Sequence, residues 1–383
     1  MNGRDINLSL MRKAIKDLVK EAIQRLQSSE STELELEGFK VYASWYPMLS
    51  LLEPATAFSK VGEPLTKFVD ILQGVTWGGK GAEKVFVLNE EDVKRWKLEP
   101  DIVYRCIGGD DIERWCIKWK RKCLLFPYVV RGEKWSRAFE VEGRGITEPT
   151  NLKDSLDFES PIDDVECKVL HQGLPESERI KRMLEHRIAL GLVRYPNAAT
   201  YLIQHYQLLR GRTFEGKTLS QYGKMWYEYH RPRVPTLTYK PKIVGPRLMK
   251  TAKFALDTHG YLPRDSVIAI VPKRGAFEGL VDSLEKVLGR KPSEEEALMY
   301  VLAFLNSEIF NRLLAEKISK KRGGYPIVNE ELLQRLSIPL PTEADRDTCK
   351  RLLRMVKTAV SQGANSQLDK EINELVKKLY QGR

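Results

Sequence analysis

Apolar residues recur along the chain at two spacings, and the changes between them mark out its elements. From residue 8 to residue 26, Leu8, Met11, Ile15, Leu18, Val19, Ala22, Ile23 and Leu26 fall at steps of three and four among Lys, Arg, Asp and Glu. That spacing predicts an amphipathic helix with one face to bury. A Ser- and Glu-rich break at 28–32 follows, and ELELEGFKVYASWYPMLSLL begins with the alternation of a strand before turning helical. Short strands are expected at 84–88, 102–106 and 122–130. Over 146–166 the periodicity fades: seven Asp or Glu stand against one Lys, among Pro149, Pro161 and the flanking Pro175. This stretch, to about 175, reads as a long surface loop.

A helix is expected over 177–193, closed by Pro196, and a second over 198–210. Strands are expected at 242–244 and 266–271, within a stretch rich in proline and β-branched residues. Ser293 before three glutamates sets an N-cap and acidic charge at the positive end of a helix dipole, and the helix continues through Leu298, Val301, Leu302, Leu305 and Ile309. The tail over 343–380 is helical with an interruption near Gly363. Helical ends around a mixed middle predict an α+β fold.

Composition narrows the class. At 383 residues the chain is long for one core, so two to three domains are expected, and a hydrophobic share of 42% supplies enough apolar surface for a folded protein. No run approaches 18 uncharged apolar residues and the start, MNGRDINLSLMRK, lacks a long apolar stretch, so a soluble cytoplasmic protein is expected. The five cysteines form no CxxC pair and the five histidines no HExxH, so reduced thiols and no metal site are expected.

Charge sharpens the picture. The net charge is +11, yet 116–137 alone carries +6 (seven Lys/Arg, one Glu) and 210–253 carries +9 (eleven against two), which leaves the rest near −4. Trp119, Phe126, Tyr128 and Trp135 stand among the cations of the first segment, and Trp226, Tyr227, Tyr229 and Tyr239 among those of the second. Cations suit phosphates and flat rings suit sugars and bases, so nucleic-acid binding is expected. The first segment contributes Lys118, Lys120, Arg121, Lys122 and Arg131 as candidate contacts.

Three motifs bear on chemistry. GVTWGGKG (74–81) approaches phosphate-loop spacing, but Gly81 stands where that loop needs a Ser or Thr hydroxyl for magnesium, so a glycine turn allowing close backbone approach is the expectation. IGGDDIERW (107–115) holds Asp110, Asp111 and Glu113, which suit either a Mg²⁺-dependent nuclease or a turn capped by Asp side chains. KMWYEYHRPRVP followed by KPKIVGPRL concentrates rings with Arg231, Arg233, Lys240, Lys242 and Arg247, on a backbone fixed by four prolines. A protein-interaction scaffold, docking through the terminal helices, is a further alternative.

These pieces, in order, resemble the target-recognition region of γ-class DNA adenine-N6 methyltransferases, the TaqI-like specificity domain of type IIG restriction-modification enzymes and phage-defence methylases. The matching stretches run GVTWGGKGAEKVFVL, IGGDDIERW, KCLLFPY, RYPNAATYLIQHYQLLRGR, WYEYHRPR, PKIVGPRL, FALDTHGYLPRDSVIAIVPK, YVLAFLNSEIFNRLL, SIPLP and INELVKKLY, covering about 70–380. The resemblance implies a domain that docks on duplex DNA opposite a catalytic domain and reads the target while the adenine is flipped out. By position it makes Lys80, Arg231, Arg233, Lys242 and Arg247 contacts; Trp77, Trp226 and Tyr227 fit a core equally well. It divides the chain into a connector (1–69), a target-recognition domain (70–290) and a helical region (291–383). One departure is decisive for chemistry. No two of the 19 prolines are adjacent, so the (N/D)PP(Y/F) motif of such enzymes is absent, as is a strand-linked GxGxxG. The expectation is therefore a specificity portion with no catalytic residues, whose partner, a methyltransferase subunit or domain, binds S-adenosylmethionine.

Overall fold

The computed structural model describes residues 33–36, 39–42, 61–131, 134–139, 173–189, 193–233, 237, 239–316, 326–363 and 365–381. The helix expected over 8–26 and the acidic segment up to 172 lie outside the described residues. The alternation in ELELEGFKVY forms an antiparallel hairpin, Glu33–Leu36 with Phe39–Tyr42.

Two four-stranded sheets organise the rest. In chain order the strands are β1 Val69–Gln73, β2 Val87–Asn89, β3 Val103–Ile107, β4 Lys122–Leu125, β5 Lys242–Pro246, β6 Ala255–Asp257, β7 Leu262–Pro263 and β8 Val267–Pro272. The first sheet has the order β6-β5-β8-β1, antiparallel throughout, with Lys242 opposite Asp257 and Ile243 opposite Ile270. The second has the order β7-β3-β4-β2, and its β7–β3 pair is parallel.

The first sheet is covered on both faces, which explains why VIAIVP reads as a continuous apolar run instead of alternating. Ile243, Leu256, Ile268 and Ile270 join one core; Val244, Ala255, Val267 and Ala269 join the other. The first core is helical, built from Ala276–Leu288, Glu294–Leu305, Arg346–Gln362 and Ser366–Gln381, and it also takes in Leu65 and Phe68. Every residue from Ala297 to Leu305 is buried there. At the start of that helix Ser293 is the N-cap the sequence predicts, and it and Glu296 exchange side-chain hydrogen bonds with each other's backbone N–H. The second core packs the second sheet against Pro196–Gln204 and the rings of Phe86, Phe126, Tyr128 and Tyr229.

Some elements differ from expectation for local reasons. Residues 83–86 form a helical turn before β2, because the Gly81 and Ala82 carbonyls accept the amides of Lys84, Val85 and Phe86. The strand expected over 122–130 breaks into β4 and Tyr128–Arg131 at Pro127, which has no N–H to pair. Pro196 opens a helix at its first position instead of closing the preceding one, Glu176–Ala189. Among the described residues no single helix is long and apolar enough to cross a membrane.

The loop between β3 and β4 pins the two cores together. Trp115, at φ 76°, is fully buried among the helical core residues; its amide donates to the Phe254 carbonyl (2.9 Å) and its indole N–H to Asp369 (2.6 Å). Arg114 beside it pairs with Asp369 at 3.3 Å and donates to the Asn306 carbonyl.

Candidate nucleic-acid interface

An open groove of about 610 Å³ lies where the β3–β4 loop, the turn before β8 and the chain after β5 converge. Its deeper parts are Pro246 and Met249 (both buried), Gly109 and half-buried Asp265, while Asp110, Arg247, Leu248, Lys250 and Lys253 form its exposed walls. The walls are tied to each other: the Gly109 amide donates to the Ser266 hydroxyl (3.1 Å) and the Arg247 amide to the Ser266 carbonyl (2.8 Å).

The two cation-rich segments meet around this groove. Lys120, from the first, forms a 2.6 Å ion pair with Asp110 on the groove wall. Its hydrogen bond is the main reason the Asp110 carboxyl sits below its usual pKa. Arg247, Lys250 and Lys253 of the second segment line the same groove. Arg233 donates toward Gln73 (3.5 Å), and Gln73 reaches the Asp265 carbonyl (3.4 Å). Burial lowers the Arg233 pKa, and the nearby charges of Arg231 and Arg247 lower it further. Arg264 joins the two sides, pairing with Glu83 at 2.7 Å and with Asp110 at 3.4 Å.

The remaining candidates divide. Lys80, Arg121 and Lys240 are exposed and Lys122 half-exposed, but none lines the groove. Lys118 pairs with Glu113 at 2.8 Å. Arg131 ends the Tyr128–Arg131 strand opposite Lys134, and its side chain lies outside the described residues. Lys242 is a correction: its side chain has no exposure, and its ammonium pairs with Asp257 at 2.6 Å and donates to the Tyr239 carbonyl at 2.9 Å. Its place in β5, buried on both faces, puts it out of reach of any phosphate.

Most of the rings are also core. Trp77, Phe126, Tyr128, Trp226, Tyr227 and Tyr229 are buried; of those counted in the cationic segments, Trp135 and Tyr239 are exposed and Trp119 is half-buried. Trp119 packs against Tyr261 under the Arg105 guanidinium.

Arg212, which no local sequence pattern marks out, organises this part of the molecule. Nearly fully buried, it donates to the carbonyls of Leu209 (2.9 Å), Trp77 (2.7 Å), Trp226 (2.6 Å) and Glu228 (2.9 Å). Burial pulls its pKa down to about 10. It fixes the glycine loop against the WYEYH segment, and Gly79 is needed for that contact: φ is 75°, and a Cβ there would stand 2.8 Å from Cβ of Arg212. The close approach that the glycines permit is to the protein's own chain.

The carboxylates of IGGDDIERW are engaged within the chain. Asp111 is buried and accepts the Gly108 amide at 2.6 Å, capping a turn; Asp110 and Glu113 pair with lysines. Among the described residues no group of three or more His, Cys, Asp or Glu is arranged to hold a metal ion. Cys106, Cys116 and Cys123 are free thiols.

No protein-family model matches the chain. It is 27% identical over 146 residues to the type II methyltransferase M.BanIII of Aneurinibacillus aneurinilyticus, a match spanning 37% of this chain and 23% of that protein. Two solved structures are similar in part. One is the type IIL restriction-modification enzyme MmeI in complex with DNA (TM-score 0.43, 8% identity, 84% of this chain and 34% of that one). The other is the type IIG restriction endonuclease BpuSI (TM-score 0.38, 11% identity, 95% and 38%). The chain thus spans about a quarter of the curated relative and a little over a third of each solved structure.

Proposed function

We propose that this chain binds duplex DNA sequence-specifically, as the target-recognition part of a restriction-modification or phage-defence DNA adenine methyltransferase. The observation that carries the reading is the groove itself: cations from two segments about a hundred residues apart in sequence gather around one concave surface. Arg247, Lys250 and Lys253 hold phosphates along one wall, with Lys120 and Arg264 across from them. The similarity to a type II methyltransferase supports the class of system. Methyl transfer and its S-adenosylmethionine belong to a catalytic subunit or domain, since the (N/D)PP(Y/F) motif is missing from this sequence.

Titrating a fluorescent duplex of random sequence with the full chain between about 50 and 200 mM salt tests the reading. Each neutralised phosphate contributes roughly −0.9 to the slope of log K against log salt, so four to five contacts give a slope of about −4. Binding that does not vary with salt would overturn the proposal.

A further inference from the structure

A groove that receives a polyanion is expected to be free of carboxylates, and this one has a carboxylate in its half-buried part. Asp265 lines the groove beside the wall that carries Arg247, Lys250 and Lys253. Its neighbour Arg264 is turned to Glu83 (2.7 Å) and Asp110 (3.4 Å), and among the described residues no cation lies within ion-pair distance of the Asp265 carboxylate. The backbone that carries it is held from both sides. Gln73 holds its carbonyl at 3.4 Å, and the hydroxyl of the next residue, Ser266, accepts the Gly109 amide at 3.1 Å. A carboxylate beside a phosphate-binding wall weakens the binding of every polyanion by like-charge repulsion, unless the ligand offers it a hydrogen-bond donor. A duplex has few such donors. In the major groove they are the exocyclic amino groups of adenine N6 and cytosine N4, and the remaining base-edge groups there are acceptors or the thymine methyl.

Resting on the reading of this chain as a DNA-recognition part, we infer that Asp265 is a specificity-determining residue that accepts a hydrogen bond from an adenine or cytosine amino group in the major groove. The cationic walls then set the register on the phosphates, and Asp265 rejects base pairs that turn an acceptor toward it. Guanine O6 or thymine O4 at that position would set an acceptor against the carboxylate oxygens.

The test is selection by the full chain from duplexes whose central base pairs are randomised, comparing wild type, Asp265→Asn and Arg247→Ala. Wild type should enrich adenine or cytosine at one position. Asp265→Asn, which adds a donor in the same shape, should relax that preference by roughly 5- to 150-fold and leave the salt slope unchanged. Arg247→Ala should make the slope shallower and keep the preference. Should Asp265→Asn fail to fold, wild type is tested on the enriched duplex with purine in place of adenine, or 2-pyrimidinone in place of cytosine. Binding should fall by a comparable factor. Equal enrichment by wild type and Asp265→Asn, or equal binding of the analogue duplex, overturns the assignment of Asp265 even where salt-dependent binding persists. A wild-type chain with no salt-dependent binding refutes the DNA reading itself.

Discussion

Replacing Lys242 separates a buried structural charge from a proposed phosphate contact. Lys242 and Asp257 face each other across β5 and β6 with neither side chain exposed, and the ammonium also donates to the Tyr239 carbonyl. Lys242→Met keeps the length of the side chain and removes the charge. It leaves the Asp257 carboxylate inside the protein with the amides of His259 and Gly260, at 2.9 and 3.0 Å, as its hydrogen-bond donors. Breaking one partner of a buried pair costs about 3–5 kcal/mol, a large share of a typical domain's stability. At roughly 2–4 °C per kcal/mol, the melting temperature should drop by about 6–20 °C. Adding Asp257→Leu should restore most of the loss, because a buried ion pair exchanged for packed apolar side chains is often neutral in stability. Duplex binding by the folded protein is the second arm. Arg247→Ala should make the salt slope shallower by about 0.9, whereas Lys242→Met should leave it unchanged. Unaltered melting combined with a shallower slope in Lys242→Met would refute the placement of this lysine.

Three further outcomes follow from the geometry. Arg212→Met leaves four backbone carbonyls without their donor, at about 1–3 kcal/mol for each one that no other group satisfies; a chemical-denaturation loss under about 1 kcal/mol would remove Arg212 from its organising role. Gly79→Ala puts a Cβ at 2.8 Å from Cβ of Arg212 with φ at 75°, and a melt should show roughly 1–3 kcal/mol of destabilisation, against about 1 kcal/mol or less for Gly216→Ala, whose Cβ meets nothing within 4 Å. Glu296, held by both Arg290 nitrogens (2.5 and 2.8 Å) and by the Ser293 amide (3.0 Å), has its pKa lowered from 4.5 to about 2. A lowered carboxylate pKa gives stability that is present above 4.5 and lost as pH falls toward about 2, so the stability difference between wild type and Glu296→Gln should shrink across that window. A difference constant across the window would contradict the assignment.

How much of this was legible in the sequence depended on whether the signal was local. The Ser293 helix start, the break at Gly363 and the strands around 243 and 268 were readable because caps, glycine and apolar runs act within a few residues. Pro196 misled because proline ends one helix and begins another by the same loss of an N–H. The excess charge of both segments that border the groove is visible in the sequence, and Lys250 and Lys253 belong to the second. Charge alone could not separate Lys242 from Arg247, since only the pairing of β5 with β6 buries one and leaves the other exposed. Arg212 and Asp265 depend on contacts with residues more than a hundred positions away, Trp77 and Gln73 respectively, and left no local pattern.

The pin at Trp115 gives the groove a rigid base. The β3–β4 loop supplies Gly109 and Asp110 to one wall, and a few residues later the same loop inserts Trp115 into the helical core and fastens Arg114 to Asp369. The wall formed by Arg247, Lys250 and Lys253 continues from β5, a central strand of the sheet packed on those helices. Both walls are therefore held by one packed unit, so a duplex on the cations would meet Asp265 at a fixed depth, as discrimination between base edges requires. Loosening the pin should affect discrimination before affinity. Phosphate contacts tolerate a shift of an ångström, because their field falls off slowly with distance, while a hydrogen bond to a base edge does not. Arg114→Ala, which removes the ion pair with Asp369 and leaves Trp115 in place, should keep most of the salt-dependent affinity and flatten the base preference; an unchanged preference would show that the pin plays no part in reading.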